Sequence, residues 1–344
     1  MENSTAAPGV GPKRPLLRER TREEEDDEAA EGGGNWGLPG DEDMAMPSSN
    51  KVFKFEIPGP SDRRVDAGQW DITLHAEQHE YTVIDLETGQ AVPGPFTSVT
   101  SFTHSLFPAF VPDVALRKMS LATKRSRYPG MTNVQIKQWW VDNGAASACL
   151  GTQMHSVMEV LLSRGDPFRH NFVVPPPRQC EHGVHARDET DAIVVKDDHV
   201  NALLEYLKRK CLITVVAIEQ CVFDPILRMP GTIDLVLRNS ETGRLHICDY
   251  KRYPKFTMTN EYGEKGLPGT VAESMPKCNA SEATIQLNIY REQYRRCFGE
   301  DAEALHIFCM HPSLRTFEDH QMPVDDALVA RLVEERMKQL RTGM

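Results

Sequence analysis

The chain has 344 residues, 40% of them hydrophobic and 26% charged, with a formal net charge of −11. That balance describes a soluble globular protein, and no apolar run approaches the roughly 20 residues that span a bilayer. The acidic total counts against nucleic-acid binding, except that residues 1–50 hold twelve acidic and five basic side chains, a balance of −7, leaving −4 for the rest.

Residues 1–50 are rich in Gly, Pro, Glu and Asp, including the run Glu23–Glu28 and the triplet Gly32–Gly34. Such a segment buries too little apolar surface to offset its chain entropy, so it is expected to be a disordered acidic tail. Its basic stretch from Lys13 to Arg22 reads as part of a solvated charged tail. The start of the chain lacks the basic-then-apolar pattern of a secretory signal and is too acidic for a mitochondrial transit peptide. An intracellular location, nuclear or cytoplasmic, is therefore expected. The eight cysteines are scattered and form no CxxC pair, so reduced thiols are expected and a zinc ribbon has no support.

Order is expected from about Lys51. Residues 51–144 read as a hairpin and helical region: Tyr81–Asp85 and the residues after Gly89 suggest a hairpin, and Ser98 an N-cap of a short helix ending before Pro108. Thr132 with Gln135 is a capping-box pattern for another helix. Residues 145–344 read as the core of an α/β (α+β) fold. Ala145–Ser163 is expected to be a helix closed by Gly165, and Asp197–Lys210 a second one. Leu212–Phe223, Thr232–Arg238 and Leu245–Tyr250 are rich in Val and Ile between turn residues and read as strands. Asn279 with Glu282 suggests a capping box opening a helix to about Phe298. Ala304–Met310 reads as a strand and Asp325–Leu340 as an amphipathic helix.

The chemistry concentrates in GTIDLV (231–236) and ICDYKR (247–252), joined by NSETG (239–243). If the chain reverses symmetrically about Glu241–Thr242, residues whose numbers sum to 483 face each other, and Asp234 meets Asp249. Two carboxylates about 5 Å apart across a sheet repel unless a cation lies between them, and oxygen ligands suit Mg²⁺ or Mn²⁺. Lys251, two residues beyond Asp249, shares its face and is placed to position a water or stabilise charge on a phosphate. A solvated hairpin with incidental charges is the plainer alternative. The interleaved Leu235, Val236, Ile247 and Cys248 argue for a half-buried sheet, where stray carboxylates are costly.

Two further motifs lie on predicted helices: GTQMHSVME (151–159), with His155 and Glu159 four apart on one face, and QLNIY, with Gln286 and Tyr290 so spaced. Together, GTQMHSVME, GTID, DYK and QLNIY resemble in order the motifs of the RecB-like branch of the PD-(D/E)xK nucleases, over about Ala145–Met310.

The resemblance implies a restriction-endonuclease-like αβββαβ core, a mixed sheet flanked by helices, with helical N-terminal additions. It implies His155, Asp234, Asp249 and the Tyr250 carbonyl as metal ligands and Lys251 acting on the water or the scissile phosphate. Gln286 and Tyr290 would support the site or contact the DNA backbone, and Glu219 would reach a second metal or orient a ligand. Some relatives hold an iron–sulfur cluster through one Cys before the His motif and three after the Gln motif. Only Cys297 and Cys309 follow Gln286 here, so no cluster is expected.

The expected activity is metal-dependent hydrolysis of DNA phosphodiester bonds, as an exonuclease of repair, recombination or replication acting on single strands or duplex ends. The alternatives are a catalytically silent nucleic-acid-binding member of the fold, an interaction protein recruiting partners through its acidic tail, and a metal-dependent hydrolase of another substrate. Val114–Trp140 holds six basic residues, no acidic one after Asp113, and Tyr128, Trp139 and Trp140. Lys124, Arg125 and Arg127 are the candidate phosphate contacts, with Arg291 beside the QLNIY helix as another. Each tryptophan taken singly reads as a core residue. Cys180, His182 and His185, with His170, match no common zinc spacing and read as a surface loop.

Overall fold

The computed structural model describes residues 52–53, 63–75, 80–163, 171–172, 197–212 and 214–342. The expected acidic tail, Gly165 and the Cys180–His182–His185 loop with His170 lie outside them. Val52–Phe53 and Asn171–Phe172 form a short parallel pair.

Three strands, β1 (Arg63–Ala67), β2 (Trp70–His75) and β3 (Glu80–Asp85), form an antiparallel sheet in the order β1-β2-β3. The expected hairpin is therefore larger than Tyr81–Asp85 and its downstream partner. Trp70–His75 is the main mate of β3, and the segment after Gly89 adds only the bridge Ile84–Ala91. Helices α1 (Val99–Ser105), α2 (Pro112–Lys118) and α3 (Leu121–Arg127) follow. Ser98 caps α1 as expected, its Oγ accepting from the Ser101 N–H at 3.1 Å.

Helix α4 runs unbroken from Asn133 to Ser163. The Thr132–Gln135 box opens it, with the Thr132 N–H donating to Gln135 Oε1 at 2.8 Å. The sequence suggested two helices here. One continuous helix forms, and beyond Gly144 its Leu150, Met154, Val157, Met158 and Leu162 bury an apolar stripe. That packing outweighs the cost of Gly144 and Gly151 in a helix interior, about 1 kcal/mol each.

After α5 (Asp197–Arg209) come β4 (Thr214–Asp224), β5 (Met229–Arg238), β6 (Leu245–Lys251), α6 (Asn279–Phe298), β7 (Ala302–Cys309), β8 (Glu318–Met322) and α7 (Asp326–Thr342). The five strands form one mixed sheet in the order β8-β7-β6-β5-β4, in which only β6 and β7 run parallel. Helices α1, α6 and α7 pack on one face through Phe102, Ile285, Ile289 and Leu332. Helices α4 and α5 cover the other through Met154, Met158, Leu203 and Leu207. Strand β6 is buried on both faces, Leu245 and Ile247 on one and Cys248 and Tyr250 on the other. The small sheet sits on β4 through Ile72, Val83, Cys221 and Phe223.

The Asn279–Glu282 capping box does not form. Cys278 is the N-cap and makes no side-chain cap bond. Asn279 Oδ1 instead accepts from the Thr257 N–H at 3.0 Å and its hydroxyl at 2.6 Å, pinning the loop after β6. Cys211, Cys221, Cys248, Cys278, Cys297 and Cys309 carry free thiols. Among the described residues no helix is long and apolar enough to cross a membrane.

Candidate metal centre

The hairpin β5–β6 has the expected register: Leu235 pairs with Cys248, Val236 with Ile247, Leu237 with His246 and Arg238 with Leu245, each sum being 483. The ladder then stops. Strand β5 stays paired to β4 back to Met229, and β6 stays paired to β7 out to Lys251, so the two central strands part like a fork. Asp234 and Asp249 are the first residues past the last pair, one on each arm, and are 6% and 2% exposed.

Side chains fill the backbone valences that the fork opens. The Tyr250 N–H donates to Asp234 Oδ2 at 2.7 Å, and the Tyr250 carbonyl lies 3.1 Å from His155 Nε2. His155 projects from α4 with its Nδ1 3.4 Å from Asp234 Oδ2 and 3.7 Å from Glu219 Oε1. Glu219 enters from β4. Ile218 faces Leu235 and Gln220 faces Ile233, which sets Glu219 opposite Asp234. Its backbone has φ +50°, a left-handed conformation that costs about 1–3 kcal/mol for a non-glycine residue and gathers at functional sites. Ligand atoms of His155, Glu219 and Asp234 lie within 4.8 Å of one another. Glu159, on the same helix face as His155, is outside this group.

Asp249 instead turns to Lys251, whose Nζ is 2.7 Å from its Oδ2. The ligand set implied by the family motifs is thus divided: His155 and Asp234 converge with Glu219, Asp249 pairs with the lysine, and the Tyr250 carbonyl meets the second imidazole nitrogen. Burial pushes Asp249 up to about 6, with the Asp234 charge adding to the rise and Lys251 only partly opposing it. Burial alone would raise Asp234 too, but His155 and Lys251 hold it below the usual carboxylate value. His155 and Lys251 are both held above their ordinary values, since the surrounding carboxylates overcome the cost of burying a cation. The carboxylates thus favour positive charge beside them.

Gln286 and Tyr290 lie behind the fork on α6. Gln286 Nε2 donates to the Tyr290 hydroxyl at 3.2 Å, and both are buried. At 3% exposure, Tyr290 backs the site and does not offer its side chain to a DNA backbone. Tyr81, on β3, carries no motif and escaped the sequence reading. Its hydroxyl lies 3.1 Å from Thr232 Oγ1, two residues before Asp234.

Arg291 is a correction. Its guanidinium meets Asp301 and Asp326 at 2.6 Å each and the Ala302 carbonyl at 3.1 Å, with the side chain 11% exposed. It ties α6 to β7 and α7 and is not available to DNA. The α3 cluster is different. Arg125 and Arg127 are exposed and Lys124 half-exposed, and none of the three forms an ion pair among the described residues. Beside them, Tyr128 packs edge-on to Trp139 and Trp140 and accepts from Trp140 Nε1 at 2.8 Å, while Phe110, 59% exposed, packs on Trp140. Both tryptophans are half-buried in a surface aromatic cluster, not in the core as each alone suggested.

Neither a protein-family model nor a curated protein matches this chain.

Proposed function

We propose that the chain is a nuclease that hydrolyses DNA phosphodiester bonds with a divalent cation, Mg²⁺ or Mn²⁺, held in the β5–β6 fork, on a restriction-endonuclease-like core. The observation that carries this reading is the convergence of His155, Glu219 and Asp234, with Asp249 and Lys251 on the opposite arm, where two sheet strands separate. The order α4-β4-β5-β6-α6-β7, with α5 inserted, supports the αβββαβ assignment. One imidazole nitrogen among carboxylate oxygens is a donor set that Mg²⁺ and Mn²⁺ accept, and a buried group of carboxylates needs such a charge. His155, Glu219 and Asp234 would hold the ion, with Asp249 and the Tyr250 carbonyl bordering it.

A cation there would polarise a phosphoryl oxygen and lower the pKa of bound water. The side chains do the rest. Lys251 presents its ammonium where charge develops on the phosphate, and its pairing with Asp249 fixes where that ammonium points. The Tyr250 backbone orients His155 and Asp234 from either side, as outer-shell groups do at metal sites. The exposed cations of α3, with Phe110 and Trp140 alongside, suit phosphates and unpaired bases and favour a nucleic-acid substrate over another phosphodiester. An exonuclease of repair, recombination or replication is the role that the motif resemblance favours.

The decisive experiment incubates the purified chain with end-labelled single- and double-stranded DNA, with Mg²⁺, with Mn²⁺ and with excess chelator. Cleavage that requires the cation and vanishes in Asp234→Asn and Lys251→Ala is expected. Binding of DNA without cleavage under every condition would instead mean a catalytically silent member of the fold.

A further inference from the structure

A cavity of about 550 Å³ opens between the small sheet and α1. Its walls include Glu80, Tyr81 and Thr82 of β3, Phe96 and Thr97 of the following loop, and Ser101 of α1. The volume falls within the roughly 300–1,000 Å³ range of small-molecule sites.

The loop wall is held from two sides. Arg228 Nη2 donates to the Gly94 carbonyl at 2.7 Å and also bonds the Pro93 carbonyl. The Thr97 N–H donates to the Arg228 carbonyl at 3.2 Å. Arg228 itself has φ +50°, so the β4–β5 turn is bent to make these bonds. Phe96 packs edge-on against Phe223 of β4, and Tyr81 reaches Thr232 of β5. The cavity and the metal centre are thus built on the same two strands, Thr232 standing two residues from Asp234.

The chemistry of the walls decides among ligands. Two aromatic rings and several hydroxyls can meet a flat heterocycle and a sugar, which need stacking surface together with short-range donors and acceptors. Among the described lining residues the one charged group is Glu80, an anion, and the Arg228 guanidinium at the Pro93–Gly94 edge is already held by two carbonyls. A phosphate group is disfavoured there. We propose that this cavity binds the base and sugar of a single unpaired nucleotide of the substrate strand, positioning a neighbouring phosphate at the fork. The proposal rests on the nuclease reading for its biological meaning, but its binding step needs no cation and no turnover.

Titration of the full-length protein in excess chelator with 2′-deoxyadenosine and thymidine, followed by NMR line broadening of the nucleoside, tests it. Saturable binding is expected, unchanged between about 50 and 200 mM salt because no phosphate is contacted. 2′-Deoxyadenosine 5′-monophosphate should bind no more tightly than the nucleoside. Ser101→Trp and Thr82→Trp, both at exposed positions, fill the cavity and should each weaken nucleoside binding by about tenfold or more, equivalent to about 1.4 kcal/mol. Retained melting temperature serves as the fold control, and using two separate variants guards against one failing to fold. In cleavage assays the folded variant should lower kcat/KM. Absence of saturable nucleoside binding by the wild type, or binding that both occluding variants retain, overturns the proposal. A protein that binds nucleosides in this way but cuts no DNA with any cation overturns the nuclease reading and leaves the cavity assignment standing.

Discussion

A methyl group built on Gly231 would lie 2.6 Å from Cε1 of Tyr290 and 2.9 Å from Cγ2 of Val99. Strand β5 begins its run toward Asp234 under that ring, and only a residue without Cβ lets α6 and α1 approach so closely. Gly231→Ala should therefore destabilise the protein by about 1–3 kcal/mol through overpacking. Urea unfolding with an unchanged m-value would register this. A neutral result would mean that the ring moves freely, and with it the backing of the fork.

Glu219 offers a separate test of the cation. In the wild type, a bound ion should raise thermal stability as its concentration exceeds the dissociation constant, by about 2.7 kcal/mol at a hundredfold excess. Glu219→Gln replaces one of three converging ligand groups by a neutral amide, a weaker oxygen donor. The variant should lose most of the stabilisation by Mn²⁺. If the variant gains as much from Mn²⁺ as the wild type does, Glu219 is not a ligand.

The pH dependence of stability should carry the mark of Asp249. Its folded value of about 6 lies above the ordinary carboxylate value of 3.8, chiefly because burial penalises the charged form. The folded state thus holds that proton more tightly than the unfolded chain. The resulting stabilisation is complete below about pH 4 and is lost as pH rises through about 6. The total is at most about 3 kcal/mol, since each tenfold difference in proton affinity between the two states is worth about 1.4 kcal/mol. Measured in chelator between pH 4 and 8, Asp249→Asn should flatten this part of the curve. An identical slope in the two proteins would place the titration elsewhere.

The α3 surface and Arg291 make opposite predictions. Replacing Lys124, Arg125 and Arg127 with Ala should weaken DNA binding to all sequences alike. Each lost phosphate contact should lower the slope of log affinity against log salt by roughly 0.7–0.9. Arg291→Ala should leave that slope unchanged and lower stability, modestly because its partners Asp301 and Asp326 are largely exposed, by about 1 kcal/mol. Filter binding across a salt series, alongside thermal melts, separates the two. An unchanged slope in the triple variant means that α3 is a solvated face.

The sequence by itself determined whatever depends on neighbours along the chain. The NSETG reversal sets the 483 register, because turn chemistry and apolar alternation leave a short hairpin one pairing that buries Leu235, Ile247 and Cys248. Ser98 and Thr132 declared their helix starts because a cap is a bond between residues three apart. The tertiary structure decided what depends on distant partners. Arg291 reads as a free cation until Asp301, just before β7, and Asp326 of α7 fold onto it. Asn279 reads as a cap until Thr257 takes its oxygen. Strand β8, the polar run EDHQM, has no strand-like pattern. It forms because β7 offers an open edge and Asp319 meets His306 at 2.9 Å. The site follows the same division. The local pattern marks Asp234, Asp249 and Lys251 as facing one another. The parting of β5 from β6, and the strained turn that swings Glu219 toward His155, come from packing three strands between helices, where no local spacing records which ladder must end.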